Sequence, residues 1–90
     1  MINKSKILKD VQKFIAKSQW DKAIIEYEKI LAESPNDANT FNTVGDLCLK
    51  RNDTEKAIES FKRSAEIFNK TGFTLKAIAL YKKVLNINPD

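Results

Sequence analysis

Residues 54–71 read TEKAIESFKRSAEIFNKT. Their apolar members, Ala57, Ile58, Phe61, Ala65 and Phe68, recur at steps of three and four, which places them on one face of an α-helix. Asp53 stands before the stretch as an N-cap, Glu55 lies in its first turn, and Gly72 follows as a C-terminal stop. The stretch fits two positions of one repeating plan, and the rest of the chain shows why.

Working outward, residues 4–17 predict a first helix with Ile7, Leu8, Val11, Phe14 and Ile15 on its apolar stripe. Residues 20–33 predict a second, with Ala23, Ile24, Tyr27, Ile30 and Leu31 inward. Ser34-Pro35-Asn36-Asp37 is a turn, because Pro35 cannot continue a helix and Asn36 or Asp37 can cap the next. Residues 38–50 predict a third helix, with Phe41, Val44, Leu47 and Cys48 apolar, and residues 73–86 a fifth. No stretch alternates as a strand does. Short connections between helices of this length force antiparallel neighbours, so the expected fold is all-α, a row of about five helices in antiparallel hairpins.

Ninety residues suffice for one domain with a modest core. One cysteine allows no internal disulfide and fits a reducing compartment, so a cytoplasmic location is expected. There is no histidine, the commonest general base and metal ligand. The carboxylates are scattered, no glycine-rich phosphate loop occurs, and Cys48 lies on an inward face. No enzyme, catalytic residue, metal or cofactor is therefore expected.

A repeat is present. Ala23-Ile24 recurs as Ala57-Ile58, 34 residues later, and Tyr27 recurs as Phe61. Lys22-Ala23-Ile24, Lys56-Ala57-Ile58 and Lys76-Ala77-Ile78 share one local text, and Tyr81 and Pro89 follow Ala77 as Tyr27 and Pro35 follow Ala23. On these residues the chain resembles the tetratricopeptide repeat family, whose units run near 34 residues. Phe41, Val44-Gly45, Cys48, Ala57 and Phe61 match the middle unit; Ala23, Tyr27 and Pro35 match the second helix of the first, while Ile7, Asp10-Val11 and Phe14 match its first helix more loosely. Gly45 and Ala57 let helices approach, and the aromatics fill the space between units.

Ala77 follows Ala57 by 20 residues rather than 34, so one helix and its turn are missing. Counted back from Ala77, the third unit begins on residues 54–71 themselves, with Phe61 at its bulky position, Ala65 at the glycine position, Phe68 at the aromatic and Gly72 in the turn. The expected organisation is one domain over residues 1–90, with units at 4–37 and 38–71 and a partial third that shares helix 54–71 with helix 73–86. A displaced hairpin of the last two helices with a sharper bend is the rival arrangement. Ala77, Ile78, Tyr81 and Leu85 are expected to face the fourth helix, leaving Leu80, Val84 and Ile87 as a partly uncovered interface for a second copy, a continuing chain or a partner.

The resemblance implies a right-handed superhelix that binds a protein or peptide on the concave face formed by the first helices of each unit. That face would offer Ser5, Leu8, Gln12 and Ile15 from the first helix and Asn39, Asn42, Asp46, Leu49 and Lys50 from the third. Asn42 with Gln12 would hydrogen-bond an extended backbone, and Leu8, Ile15 and Leu49 would supply apolar pockets. Some members clamp a terminal carboxylate with Lys and Asn; the corresponding positions here are Leu8 and Gln12, so that clamp is not expected.

The net charge of +4 sits entirely in residues 4–17, with five Lys and one Asp, and the remainder is neutral at eleven against eleven. Lys6, Lys9, Lys13 and Lys17 fall within about 80° of the first helix. An anionic membrane or nucleic acid is the alternative partner, but the stripe has no Arg and no interleaved aromatic, and a solubilising end helix carries the same lysines. Titrating duplex DNA, RNA and anionic vesicles over a salt series is expected to show no salt-sensitive binding near physiological ionic strength.

Overall fold

The computed structural model describes residues 2–88, so the expectations placed on Pro89 and Asp90 lie outside the described residues. Five helices follow in order: α1 Lys4–Ala16, α2 Trp20–Glu33, α3 Ala38–Lys50, α4 Thr54–Lys70 and α5 Thr74–Ile87. There is no strand among the described residues. Close helix pairs are always consecutive in the chain: α1 with α2, α2 with α3, α3 with α4, and α4 with α5. So α4 packs on both α3 and α5.

The helix ends follow from local chemistry. Asn3, Asp37 and Asp53 cap α1, α3 and α4, each side chain accepting from the backbone N–H three residues on, those of Lys6, Thr40 and Lys56. Three of the four turns are one device. After α1, α3 and α4, the residues Ser18, Asn52 and Gly72 adopt positive φ of 56°, 62° and 90°. Each donates its N–H three residues back, and the next residue donates five back, to Phe14, Cys48 and Phe68. This is the helix-closing motif that favours glycine, which Gly72 supplies; nothing crowds Gly72, so its role is conformational. Five residues beyond each left-handed position stands Ala23, Ala57 or Ala77, all buried. A methyl group there lets the two arms of the hairpin close. The α2–α3 turn differs, because Pro35 ends the helix instead.

The core runs the length of the row, with Val11, Ile24, Ile30, Cys48, Phe61 and Ala65 essentially inaccessible. Phe61 lies against Gly45: a β-carbon at that position would stand 2.7 Å from Phe61 Cδ1 and 2.8 Å from its Cζ. The glycine is therefore a close approach between α3 and α4. Ser64, also fully buried, donates its hydroxyl to the Ala38 carbonyl of α3 at 2.7 Å, a second tie between the same helices. Phe68 is buried and meets Phe73 edge-on, with ring centroids 6.0 Å apart.

Helix α5 is turned differently from the expectation. Ala77, Leu80 and Val84 are buried. Ile78, Tyr81 and Leu85 are 43%, 41% and 58% exposed, and Leu75 is 83% exposed. Leu80 and Val84 are therefore core residues, not an interface, with Ile87 half-buried beside them, and Tyr81 does not pack between units. The cause is visible in α2. Its close neighbours are α1 and α3. The side equivalent to Ala77 and Val84, Ala23 and Ile30, belongs to the hairpin seam. Ile24, Tyr27 and Leu31 are left to be covered by α3. Their counterparts Ile78, Tyr81 and Leu85 thus point to where a following helix would lie, not back at α4.

Gly45→Ala tests the close approach. Helix propensity alone favours alanine by about 1 kcal/mol, but overpacking a buried ring costs roughly 1–3 kcal/mol. A net loss of stability is expected, read as a lower urea midpoint and partly restored by adding Phe61→Leu; an unchanged or raised midpoint would mean the ring yields freely. Burial also pushes the Cys48 thiol above its usual range. Its alkylation in native buffer is expected to be slower than in denaturant by on the order of a thousandfold, following global unfolding.

Candidate functional site

A groove opens between α3 and α5, floored by α4. Asn39 and Asn42 line one wall, Lys76, Ala79, Leu80 and Lys83 the other, and Phe68 the base, around a volume of about 300 Å³. Its position follows from the hairpin turn at Gly72, which folds α5 back along α4 and brings it beside α3.

Lys83 is fixed within this groove. Its Nζ donates to Asp46 Oδ1 at 2.7 Å and to Asn42 Oδ1 at 3.4 Å, and sits 4.3 Å from the centroid of the Phe61 ring. Both ends of the ion pair are partly solvated, so the bond itself contributes roughly 0.2–1 kcal/mol, and its main effect is geometric, tying α5 to α3. Lys76 differs. Its Nζ lies 5.3 Å from the Phe68 ring centroid and 5.2 Å from that of Phe73, an arrangement that holds a cation over aromatic faces. No carboxylate approaches it among the described residues. The groove therefore carries one neutralised ammonium, one free ammonium, two amide side chains and an apolar floor.

The nine residues expected on the concave face separate, and Ser5 is exposed on α1. Asn39 and Asn42 line the groove. Asp46 is there as the partner of Lys83. Leu49 is half-buried against the core, and Lys50 leans on the Trp20 ring with its Nζ 5.3 Å from the centroid. Leu8, Gln12 and Ile15 are exposed on α1, where Leu8 and Gln12 share a shallow open patch with Lys9 and Lys13, apart from the groove. Lys76 and Lys83 were missed. Their spacing of seven residues put two cations on one face of α5, the signal available in the sequence.

Lys4, outside the lysine stripe of α1, approaches Asp37 at 4.0 Å. No helix among the described residues is long and apolar enough to cross a membrane.

No curated protein matches the chain. Residues 38–71, the α3–α4 hairpin, match the family model described as tetratricopeptide repeat. The chain therefore carries a tetratricopeptide repeat over residues 38–71, set in a row of antiparallel hairpins.

Proposed function

We propose that this chain is a non-catalytic protein-interaction module and that its α3–α5 groove receives an extended, acidic segment of a partner protein. Tetratricopeptide repeats generally mediate protein–protein interaction, which supports the class of function. The observation that carries the site is the free Lys76 ammonium opposite Asn39 and Asn42 over an apolar floor. An extended backbone offers carbonyls and N–H groups that amide side chains satisfy in either direction. A carboxylate on the segment would pair with Lys76, and an aliphatic side chain would cover Phe68 and Leu80.

Asp46 has a different role here from a direct contact: it restrains Lys83. Removing it frees a second ammonium for the ligand. Were Asp46 instead to contact the ligand directly, its removal would weaken binding.

Fluorescence anisotropy with a labelled, Pro-containing peptide of alternating Glu and Leu, beside its Lys counterpart, tests this. The acidic peptide is expected to bind the wild-type chain more tightly than the basic one. Asn39→Ala with Lys76→Glu is expected to weaken it about tenfold, the scale of losing a charge-assisted contact. Asp46→Ala is expected to leave its affinity equal or improved. A preference for the basic peptide, or affinity unmoved by the Asn39 and Lys76 changes, would rule out the groove.

A further inference from the structure

The same flank of a second hairpin arm occurs three times, at Ile24, Tyr27 and Leu31 in α2, at Ile58, Phe61 and Ala65 in α4, and at Ile78, Tyr81 and Leu85 in α5. In α2, which packs on α1 and α3, it is covered: Ile24 is buried, and Tyr27 and Leu31 are half-buried against the core. In α4 it lies under the neighbouring helices: Phe61 and Ala65 are buried and Ile58 is packed on the core. In α5 no described helix covers it, and all three side chains are exposed. We propose that this face of α5 is a seat for one further α-helix, supplied by a partner and acidic along its flank.

The occupied interfaces specify the occupant. Wherever the flank is covered, what covers it is an amphipathic helix. Helix α3, which packs on both α2 and α4, does so with small and medium side chains, Ala38, Thr40, Val44, Gly45, Leu47 and Cys48, on its buried positions. A helix with an alanine-rich seam meets the same requirement over Ile78 and Leu85.

Charge then selects among such helices. On α2, acidic residues accompany the flank and bind basic groups of the elements that follow. Arg51 Nε lies 3.0 Å from Asp21 Oδ1, and Lys56 Nζ lies 3.5 Å from Glu28 Oε2. The positions equivalent to Asp21 and Glu28 on α5 are Leu75 and Lys82. Acid has become apolar and basic. Helix α5 carries Lys76, Lys82 and Lys83 and no acidic residue. Lys83 is neutralised by Asp46, Lys76 lies in the groove, and Lys82 is exposed with no carboxylate near it among the described residues. A basic group placed as Lys56 is placed over Glu28 would be repelled by Lys82, whereas a carboxylate opposite Lys82 would be attracted.

The same charges disfavour a second copy. Two α5 helices packed face to face would bring like charges together at Lys82. Helix α1 offers no better match, since the positions equivalent to Ala38, Thr40, Val44 and Leu47 of α3 are Lys4, Lys6, Asp10 and Lys13. A foreign acidic helix is the occupant the surface fits.

Calorimetric titration of the 90-residue chain tests the proposal, with two synthetic amphipathic peptides of about 20 residues, long enough to be helical. Both share one Leu/Ala seam; one is flanked by Glu, the other by Lys. The Glu-flanked peptide is expected to bind at least about tenfold more tightly. Ile78→Ser with Leu85→Ser is expected to weaken it about tenfold or more while leaving the melting temperature nearly unchanged, since both side chains are exposed. Lys82→Glu is expected to reverse the preference between the peptides. The proposal is overturned by absence of binding by the Glu-flanked peptide, by binding that survives Ile78→Ser with Leu85→Ser, or by loss of binding on Asn39→Ala with Lys76→Glu alone, which would assign the peptide to the groove. A dimer in light scattering that dissociates on Leu85→Ser would assign the face to a second copy and equally overturn it.

Discussion

The Phe61 ring depends on having no side chain opposite it. Gly45 brings the α3 backbone against the ring, and the ring fills what would otherwise be a channel between α3 and α4. The same ring carries the Lys83 ammonium of α5, 4.3 Å from its centroid. One aromatic side chain thus touches three helices, and the position of α5 over α3 is referred back to it. A dense interior transmits such a constraint, since neither the ring nor the backbone has free space into which to relax. Across the groove that the Gly72 turn creates, Lys83 is held by Asp46 while Lys76, seven residues earlier, meets aromatic rings and no carboxylate among the described residues.

The hairpins themselves are specified closer to home. A left-handed residue ends a helix, its two backbone bonds fix the exit of the chain, and five residues later an alanine allows close return. Ser18, Asn52 and Gly72 perform the same task with different side chains. Glycine does so without steric cost, and asparagine is better tolerated there than most residues, whereas serine holds a conformation that disfavours a β-carbon. The turn after α2 follows another rule, with Pro35 closing the helix and Asp37 capping the next. Alternation of these two turn types separates arms within a hairpin from arms between hairpins, and the turn at Gly72 belongs to the first type. That is the structural counterpart of the 20-residue step between Ala57 and Ala77.

Much of this was legible in the sequence because it is local. Periodic apolar residues, Asp53 and Gly72 bounded α4 to within a residue, and Gly45 with Phe61 announced a close packing. The rotation of α5 was not legible. Half of its circumference is apolar, so periodicity allowed two faces, and the likeness of Ala77-Ile78 and Tyr81 to Ala23-Ile24 and Tyr27 identified equivalent positions without saying which neighbour they serve. The groove was half legible. Asn39 and Asn42 were singled out from the repeat, but the capture of Asp46 by Lys83 spans 37 residues and depends on the path of α5. Leu49 and Lys50 were diverted for a similar reason, the first by the core and the second by Trp20.

Because each helix closely approaches only the helices next to it in the chain, the molecule is nearly one-dimensional. Contacts that close over short sequence separations demand little loop-closure entropy and form quickly. The central hairpin can act as a seed from which order spreads outward one arm at a time, and α1, with a single neighbour and a lysine-lined exterior, has the least holding it in place. Amide protection would then fall from the middle of the row toward its ends, a gradient of opening that a globule with long-range cross-links would not have.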